Sequence, residues 1–248
     1  MTPPDRLDSE RGHFDRLASE VGNAWWGHLT DAGRHRLERR ASVAIQFARL
    51  QKGVTVLEPG AGSGEFTERL ARSGAAICAV ELSPRQLELA RLRLGPVTNV
   101  RLVVGDAGRL DFPDKTFDAV VGLSVLHHLR LNKALPEFFR VLKPGARVFF
   151  SEPNMLNPQV FLERNVKWFG RWLQNSPDET AFYRWRLARE LRTAGFSHVK
   201  VVPVDFLHPA VPRVAIRLMA AIGETLEHVP PIREIAGSLF VYAARPAS

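Results

Sequence analysis

The chain has 248 residues, 45% of them hydrophobic, which is enough for one full-sized domain with a continuous core and too few for two large ones. No run of about 18 apolar residues occurs, so a membrane-spanning helix is not expected. The single Cys78 excludes an internal disulfide and a cysteine-rich metal site, and a net charge of +8 raises the question of anionic partners.

Residues 1–40 are polar, with Phe14, Trp25 and Trp26 set among charges, and they precede a main domain over 41–248. The opening Met1-Thr2-Pro3-Pro4-Asp5-Arg6 lacks the apolar core of a secretory signal, and a cytoplasmic protein is expected. The basic residues are mostly Arg and are scattered, except for a dense group at Arg34, Arg36, Arg39 and Arg40. Without a reading motif this basic balance does not point to nucleic acid. Residues 41–51 read as a helix. Val54-Thr55-Val56-Leu57 then reads as a buried strand ending at a Gly-rich turn. A helix follows from Glu65 to Ser73, and Ala75 to Val80 is a second strand. Ser83 and Pro84 suit the N-cap and first turn of a helix reaching Leu94.

The alternation continues through strands at Val100–Val104 and Phe117–Leu123, a helix at Leu131–Leu142, a turn at Lys143-Pro144-Gly145 and a strand at Arg147–Ser151. Strands alternating with helices imply right-handed crossovers and a parallel sheet covered on both faces. Residues 153–180 break this rhythm and read as an insertion after the fifth strand. Ser176-Pro177-Asp178-Glu179 has the pattern of a capping box before a helix over Thr180–Ala194. A sixth strand is expected over His198–Val204, a helix over Pro212–Glu227, and a last strand over Leu239–Ala243.

The informative device is the strand, then Gly60-Ala61-Gly62-Ser63-Gly64, then a helix. The glycines allow a sharp turn and close approach of a ligand, and the helix N-terminus offers unpaired N–H groups. Alone, this spacing suits a dinucleotide, a methionine carboxylate or a tight turn. Glu81 ends the second strand, where an acid can accept hydrogen bonds from ribose hydroxyls. Asp106 follows the third strand, where an acid can accept from an adenine amino group.

At this point the sequence resembles the class I S-adenosylmethionine-dependent methyltransferases, in the small-molecule branch that includes quinone-biosynthesis enzymes. Val56-Leu57-Glu58-Pro59-Gly60-Ala61-Gly62-Ser63-Gly64 is similar to that family's first motif, and Val80-Glu81-Leu82-Ser83 to its ribose-binding motif. Gly105-Asp106-Ala107, Phe112 to Asp118, Val125-Leu126-His127-His128-Leu129 and Leu142-Lys143-Pro144-Gly145-Ala146 continue the series. The resemblance implies a doubly wound α/β fold: a seven-stranded, mostly parallel sheet with the last strand antiparallel, and an N-terminal helical lid over residues 1–40. It implies S-adenosylmethionine as cofactor and S-adenosylhomocysteine as product. Glu58 would orient the loop and the amino end of the cofactor. Gly60 and Gly62 would contact the methionine part, Glu81 the ribose and Asp106 the adenine. Pro59, Ala61, Gly64, Leu82 and Ala107 flank these positions, and Leu123 and Ser124 end the fourth strand beside them.

Methyl transfer is an in-line displacement, so the protein chiefly holds the acceptor in place. A hydroxyl acceptor also needs a base, and His127 and His128 follow the fourth strand where one would stand. Glu152 and Asn154 end the fifth strand on the same edge and are candidate acceptor contacts. Trp25, Trp26 and His28 are further candidates from the lid, with Phe14 nearby. The aromatic content of 153–180, with Phe161, Trp168, Phe169 and Trp172, fits a cover over a pocket for an apolar or bulky small molecule. No metal site is expected, because paired cysteines and a His-Glu-x-x-His motif are both missing. Two other readings share some features. A nicotinamide-dependent oxidoreductase would have a similar glycine loop but no use for Asp106. An RNA-modifying methyltransferase usually carries an Asn/Asp-Pro-Pro-aromatic motif where Ser124-Val125-Leu126-His127 stands here. A small-molecule acceptor is therefore expected rather than nucleic acid. The oligomeric state is not set by the sequence.

Overall fold

The computed structural model describes residues 11–12, 15–16, 30–165 and 181–247. Trp25, Trp26 and His28 lie outside the described residues, as do Phe14, Trp168, Phe169, Trp172 and the Ser176–Glu179 capping box.

The first long helix, α1, spans Asp31–Ala48 and starts well before the 41–51 helix read from the sequence. Thr30 caps it, its hydroxyl accepting from the Gly33 N–H at 2.9 Å. Its buried positions, Ala32, Gly33, Leu37, Arg40, Ala41, Ala44 and Ala48, recur at helical spacing. The Arg-rich first half conceals this period, because Arg40 is a core position occupied by a charge.

After α1 come β1 (Thr55–Pro59), α2 (Glu65–Ala71), β2 (Ala76–Glu81), α3 (Pro84–Leu94), β3 (Val100–Val104), β4 (Phe117–Leu123), α4 (Leu131–Val141) and β5 (Leu142–Pro153). Then follow α5 (Pro158–Asn165), α6 (Arg184–Thr193), β6 (Ser197–Val204), α7 (Ile216–Leu226), a short α8 (Pro230–Arg233) and β7 (Ser238–Ala244). The seven-stranded sheet has the order β3-β2-β1-β4-β5-β7-β6. Strands β1 to β5 pair in parallel where they meet, and β7 runs antiparallel to both β5 and β6.

Three local differences from the sequence reading have physical causes. Lys143-Pro144-Gly145 is not a turn before β5 but an irregularity inside it. The β4–β5 register jumps from Phe117↔Leu142 to Ala119↔Arg147, with Gly145 at φ 78°. The helix expected from Thr180 begins at Arg184, because Phe182 pairs with the end of β5: its N–H donates to Pro153 O and its carbonyl accepts from Met155 N–H. The helix expected over Pro212–Glu227 opens as a 3₁₀ turn, Arg213–Ala215, before α7.

Side chains alternate across the sheet, as a period of two requires. Leu57, Phe150 and Val241 join the core under α4 and α6, with Phe138, Leu187 and Leu191. Val56, Phe149 and Phe240 join the core under α1 and α2, with Leu37, Ala44, Phe66 and Leu70. Burying a side chain such as Phe138 contributes about 1.5–3 kcal/mol, so the two layers fix the sheet between its helices. The order of strands reverses between β1 and β4. That switch point is where ligands bind in such sheets, outside the carboxyl ends of the strands.

Candidate cofactor and acceptor site

The loop after β1 is held from three sides. The Gly60 and Ala61 N–H groups donate to Val80 O at 2.8 and 3.1 Å. Arg93 on α3 donates from Nε to Ser63 O and from Nη2 to Glu65 Oε1, both at 2.9 Å. The backbone turns through three left-handed glycines: Gly60 at φ 69°, Gly62 at 52° and Gly64 at 83°. A Cβ on Gly60 would stand 2.4 Å from Val125 Cγ2, and one on Gly64 would stand 3.0 Å from Ala90 Cβ. A Cβ on Gly62 would meet nothing within 4 Å, so Gly62 borders open space.

Glu81 closes this loop from the next strand. Its Oε2 accepts from Gly62 N–H and its Oε1 from Ser83 N–H, each at 2.9 Å. Burial pushes its carboxyl above the usual range, against these backbone hydrogen bonds. The Ser83 hydroxyl caps α3 and also donates to Asp15, which brings Asp15 near Glu81. Asp106, after β3, accepts from Gly108 N–H at 2.7 Å. Glu58 lies beneath the loop, 1% exposed, and its Oε2 has no hydrogen-bond partner. Burial pushes it up to about 8, the neighbouring Thr67 hydroxyl opposing and the charges of Glu81 and Glu65 adding.

On the other side of the switch point, Ser124 ends β4 in the left-handed region at φ 51°, a strained conformation for a non-glycine residue. Its N–H donates to Ser151 O. The chain then forms the 3₁₀ turn Leu126–His128. Glu152 holds that turn: Oε1 accepts from the Val125 and Leu126 N–H groups at 3.0 and 2.8 Å, and Oε2 lies 2.8 Å from His127 Nδ1. Burial raises Glu152 to about 7. The His127 and His128 rings lie 4.1 Å apart.

These loops border one cavity of about 700 Å³, within the size range of small-molecule sites. Gly60, Ala61, Gly62, Glu81, Leu82, Asp106 and Ala107 line it. So do Leu123, Ser124, His127 and His128. Glu58, Pro59 and Gly64 do not reach it. Glu58 lies behind the loop, and Gly64 packs on Ala90. Glu152 and Asn154, expected to touch the acceptor, stand behind the wall too. Glu152 is committed to the 126–128 turn. Asn154 is 1% exposed and donates to Glu234 O and Ala236 O, pinning the end of β5 to the segment before β7.

The sequence reading missed another part of the cavity lining, built from Gly33, Arg36 and Arg40 of α1 with Asp205, Phe206 and Ser238. One signal was present. Arg36 and Arg40 are four residues apart, so a helix there puts both on one face. The dense Arg group is turned to internal use: Arg36 and Arg40 pair with Asp205, and Arg39 forms a two-pronged pair with Glu227 at 2.7 and 2.6 Å. Among the described residues no cluster of three or more His, Cys, Asp or Glu could hold a metal, and no helix is long and apolar enough to cross a membrane.

Residues 57–150 match the family model described as "Methyltransferase domain". The chain is 34% identical over 207 residues to the demethylmenaquinone methyltransferase of Thermobifida fusca (strain YX), covering 75% of this chain and 85% of that protein. It is 38% identical over 141 residues to the ubiquinone/menaquinone biosynthesis C-methyltransferase UbiE of Pasteurella multocida (strain Pm70), covering 52% of this chain and 51% of that protein. A S-adenosylmethionine-dependent methyltransferase structure from Thermotoga maritima shares the fold, with a TM-score of 0.66 and 22% identity over 94% of this chain and 99% of that one. The strand order, the glycine loop at the switch point and the similarity over three quarters of the chain agree, and the chain belongs to the class I S-adenosylmethionine-dependent methyltransferases, in the branch that contains the quinone-biosynthesis enzymes.

Proposed function

We propose that this methyltransferase acts on a ring carbon of a small, hydroxylated, largely apolar aromatic acceptor of the demethylmenaquinone type. The observation that carries the reading is the single cavity that joins the glycine loop to a wall containing Leu129, Val160, Phe206, Leu207 and Pro209, so that donor and an apolar acceptor share one chamber. The names of the relatives, one of them similar over 75% of this chain, support the same class.

The donor half fits S-adenosylmethionine. Gly60 and Gly62 form a cradle in which a side chain would either clash or protrude. Burial favours the protonated Glu58 carboxyl beneath the loop, and a cationic amino group bound nearby would favour its ionised form. Glu81 and Asp106 stand at the next two strand ends, for ribose and adenine. The cofactor supplies an already activated methyl group, so the chain's task is alignment and the exclusion of water. His127 is the proposed base for the acceptor hydroxyl, and Glu152 is its positioning residue, fixing the ring through Nδ1.

The test is turnover of purified protein with S-adenosylmethionine and a short-chain demethylmenaquinol under reducing conditions, reading S-adenosylhomocysteine and the methylated ring product. Ring-carbon methylation is expected. Product release driven by transfer RNA, or by neither acceptor, would overturn the reading.

A further inference from the structure

Helix α1 presents Gly33, Arg36 and Arg40 to the cavity, while Arg39 points to Glu227 and away from it. Asp205 is the shared partner of the two cavity-side arginines. Its Oδ2 accepts from Arg36 Nε at 2.7 Å and from Arg40 Nη2 at 2.8 Å, and Arg40 Nη2 also reaches Ser238 Oγ at 2.8 Å. Glu227 is matched by the two-pronged grip of Arg39. Two guanidinium groups therefore face one carboxylate, and one positive charge is left over at the wall.

That surplus is held at a cost. Arg40 is 7% exposed and its Nε has no hydrogen-bond partner. Burial, and then the charge of Arg36, push it down to about 10, with Asp205 only partly offsetting them. Asp205 itself sits at φ 78°, a strained backbone for a non-glycine residue. It is kept there by its N–H to Glu227 Oε1 at 2.7 Å and by Gly237 N–H to its carbonyl at 2.8 Å. Strain and unbalanced charge at a cavity wall mark a place built for a ligand rather than for stability. Among the described residues, the only side-chain hydrogen bond of Arg36 is from Nε, which leaves the outer edge of its guanidinium for that ligand. The acids Glu81 and Asp106 line the same cavity, and Glu163 on α5 is tied to Gln159. The chamber thus carries acids suited to a cationic donor and, on α1, a surplus of positive charge.

We propose that Arg36, backed by Arg40, Asp205 and Ser238, binds an anionic oxygen of the methyl acceptor. The inference rests on the reading of this chamber as the acceptor site. An ionised phenolic oxygen and a carboxylate share the required chemistry. A guanidinium favours the ionised form of a phenol beside it, and ionisation raises electron density at the oxygen and at the adjacent ring carbons.

The experiment is equilibrium binding of 1-naphthol, 1-naphthoate and 1-methoxynaphthalene to protein saturated with S-adenosylhomocysteine. At least one anion-forming probe is expected to bind about tenfold more tightly than the methoxy compound, the size of one charged hydrogen bond. Naphthol bound with the absorbance of naphtholate, at a pH where free naphthol is neutral, assigns the phenolate. A preference for naphthoate alone assigns the carboxylate. Arg36→Gln should erase the preference, and Arg36→Lys should keep part of it, both with product affinity retained as the check on folding. Equal binding of all three probes by the unaltered protein overturns the proposal without any variant. So does failure of both anions to bind, or a preference that survives in Arg36→Gln. Quinol turnover is scored separately: turnover without anion preference rejects this proposal alone, and anion preference without turnover rejects only the quinol acceptor.

Discussion

At the scale of single residues, the glycines of the first loop differ in what they protect. Gly60 is locked against Val125, so a methyl group there meets a branched side chain at 2.4 Å as well as left-handed strain. Gly62 pays only the strain, about 1–2 kcal/mol, because its Cβ would point into open space. Gly60→Ala is therefore expected to lower the melting temperature more than Gly62→Ala. Gly62→Ala should instead show its main effect as weakened S-adenosylhomocysteine binding. Thermal denaturation and calorimetric titration of the two variants separate these outcomes, and equal losses of stability would contradict the assignment. Glu152 shows how a residue's position can be legible while its task is not. An acid at the end of the fifth strand, on the ligand edge of the sheet, looks like a ligand contact. In the fold, the loop after β4 presents two backbone N–H groups and an imidazole to it first.

At the scale of elements, α1 joins core and site. One face packs Leu37, Ala41, Ala44 and Ala48 on the sheet, and the same turns deliver Arg36 and Arg40 to the cavity. Its start depends on the Thr30 cap. Thr30→Ala should cost about 1 kcal/mol, which for a domain of this size lowers the melting temperature by about 2–4 °C. A shift of that size with donor-site affinity intact is the expected result in a thermal scan with and without S-adenosylhomocysteine. The loops proposed to hold the donor were legible in the sequence because their evidence is local: strand, glycine turn, helix cap and strand-end acid all fall within short windows. The part of the cavity wall built by α1 was not. Arg40 meets Asp205 and Ser238 across 165 and 198 residues, and charged core positions look like solvated surface when read along the chain. The Lys143-Pro144-Gly145 stretch misled for a related reason. Turn-forming residues also serve a strand irregularity, and only the register with β4 tells the two apart.

At the scale of the whole molecule, the buried acids beneath the site tie stability to pH. Glu58 is raised to about 8 and Glu152 to about 7, above the ordinary carboxylate value, so the folded state holds these protons more tightly than the unfolded state. Their contribution is complete at low pH, within the range where the rest of the fold survives, and is lost as pH rises from about 5 to about 8. Glu58→Gln carries no such titration. Its melting temperature should fall less than that of the unaltered protein across that window, and parallel curves would sink the argument. The sheet order has a further consequence in time. β7 lies between β5 and β6 yet follows both along the chain. During synthesis β6 has no neighbour to join until the last strand has left the ribosome. The turns proposed to cradle the donor leave the ribosome long before Ser238 arrives to meet Arg40, so the nascent chain carries those turns well before the chamber around them can close.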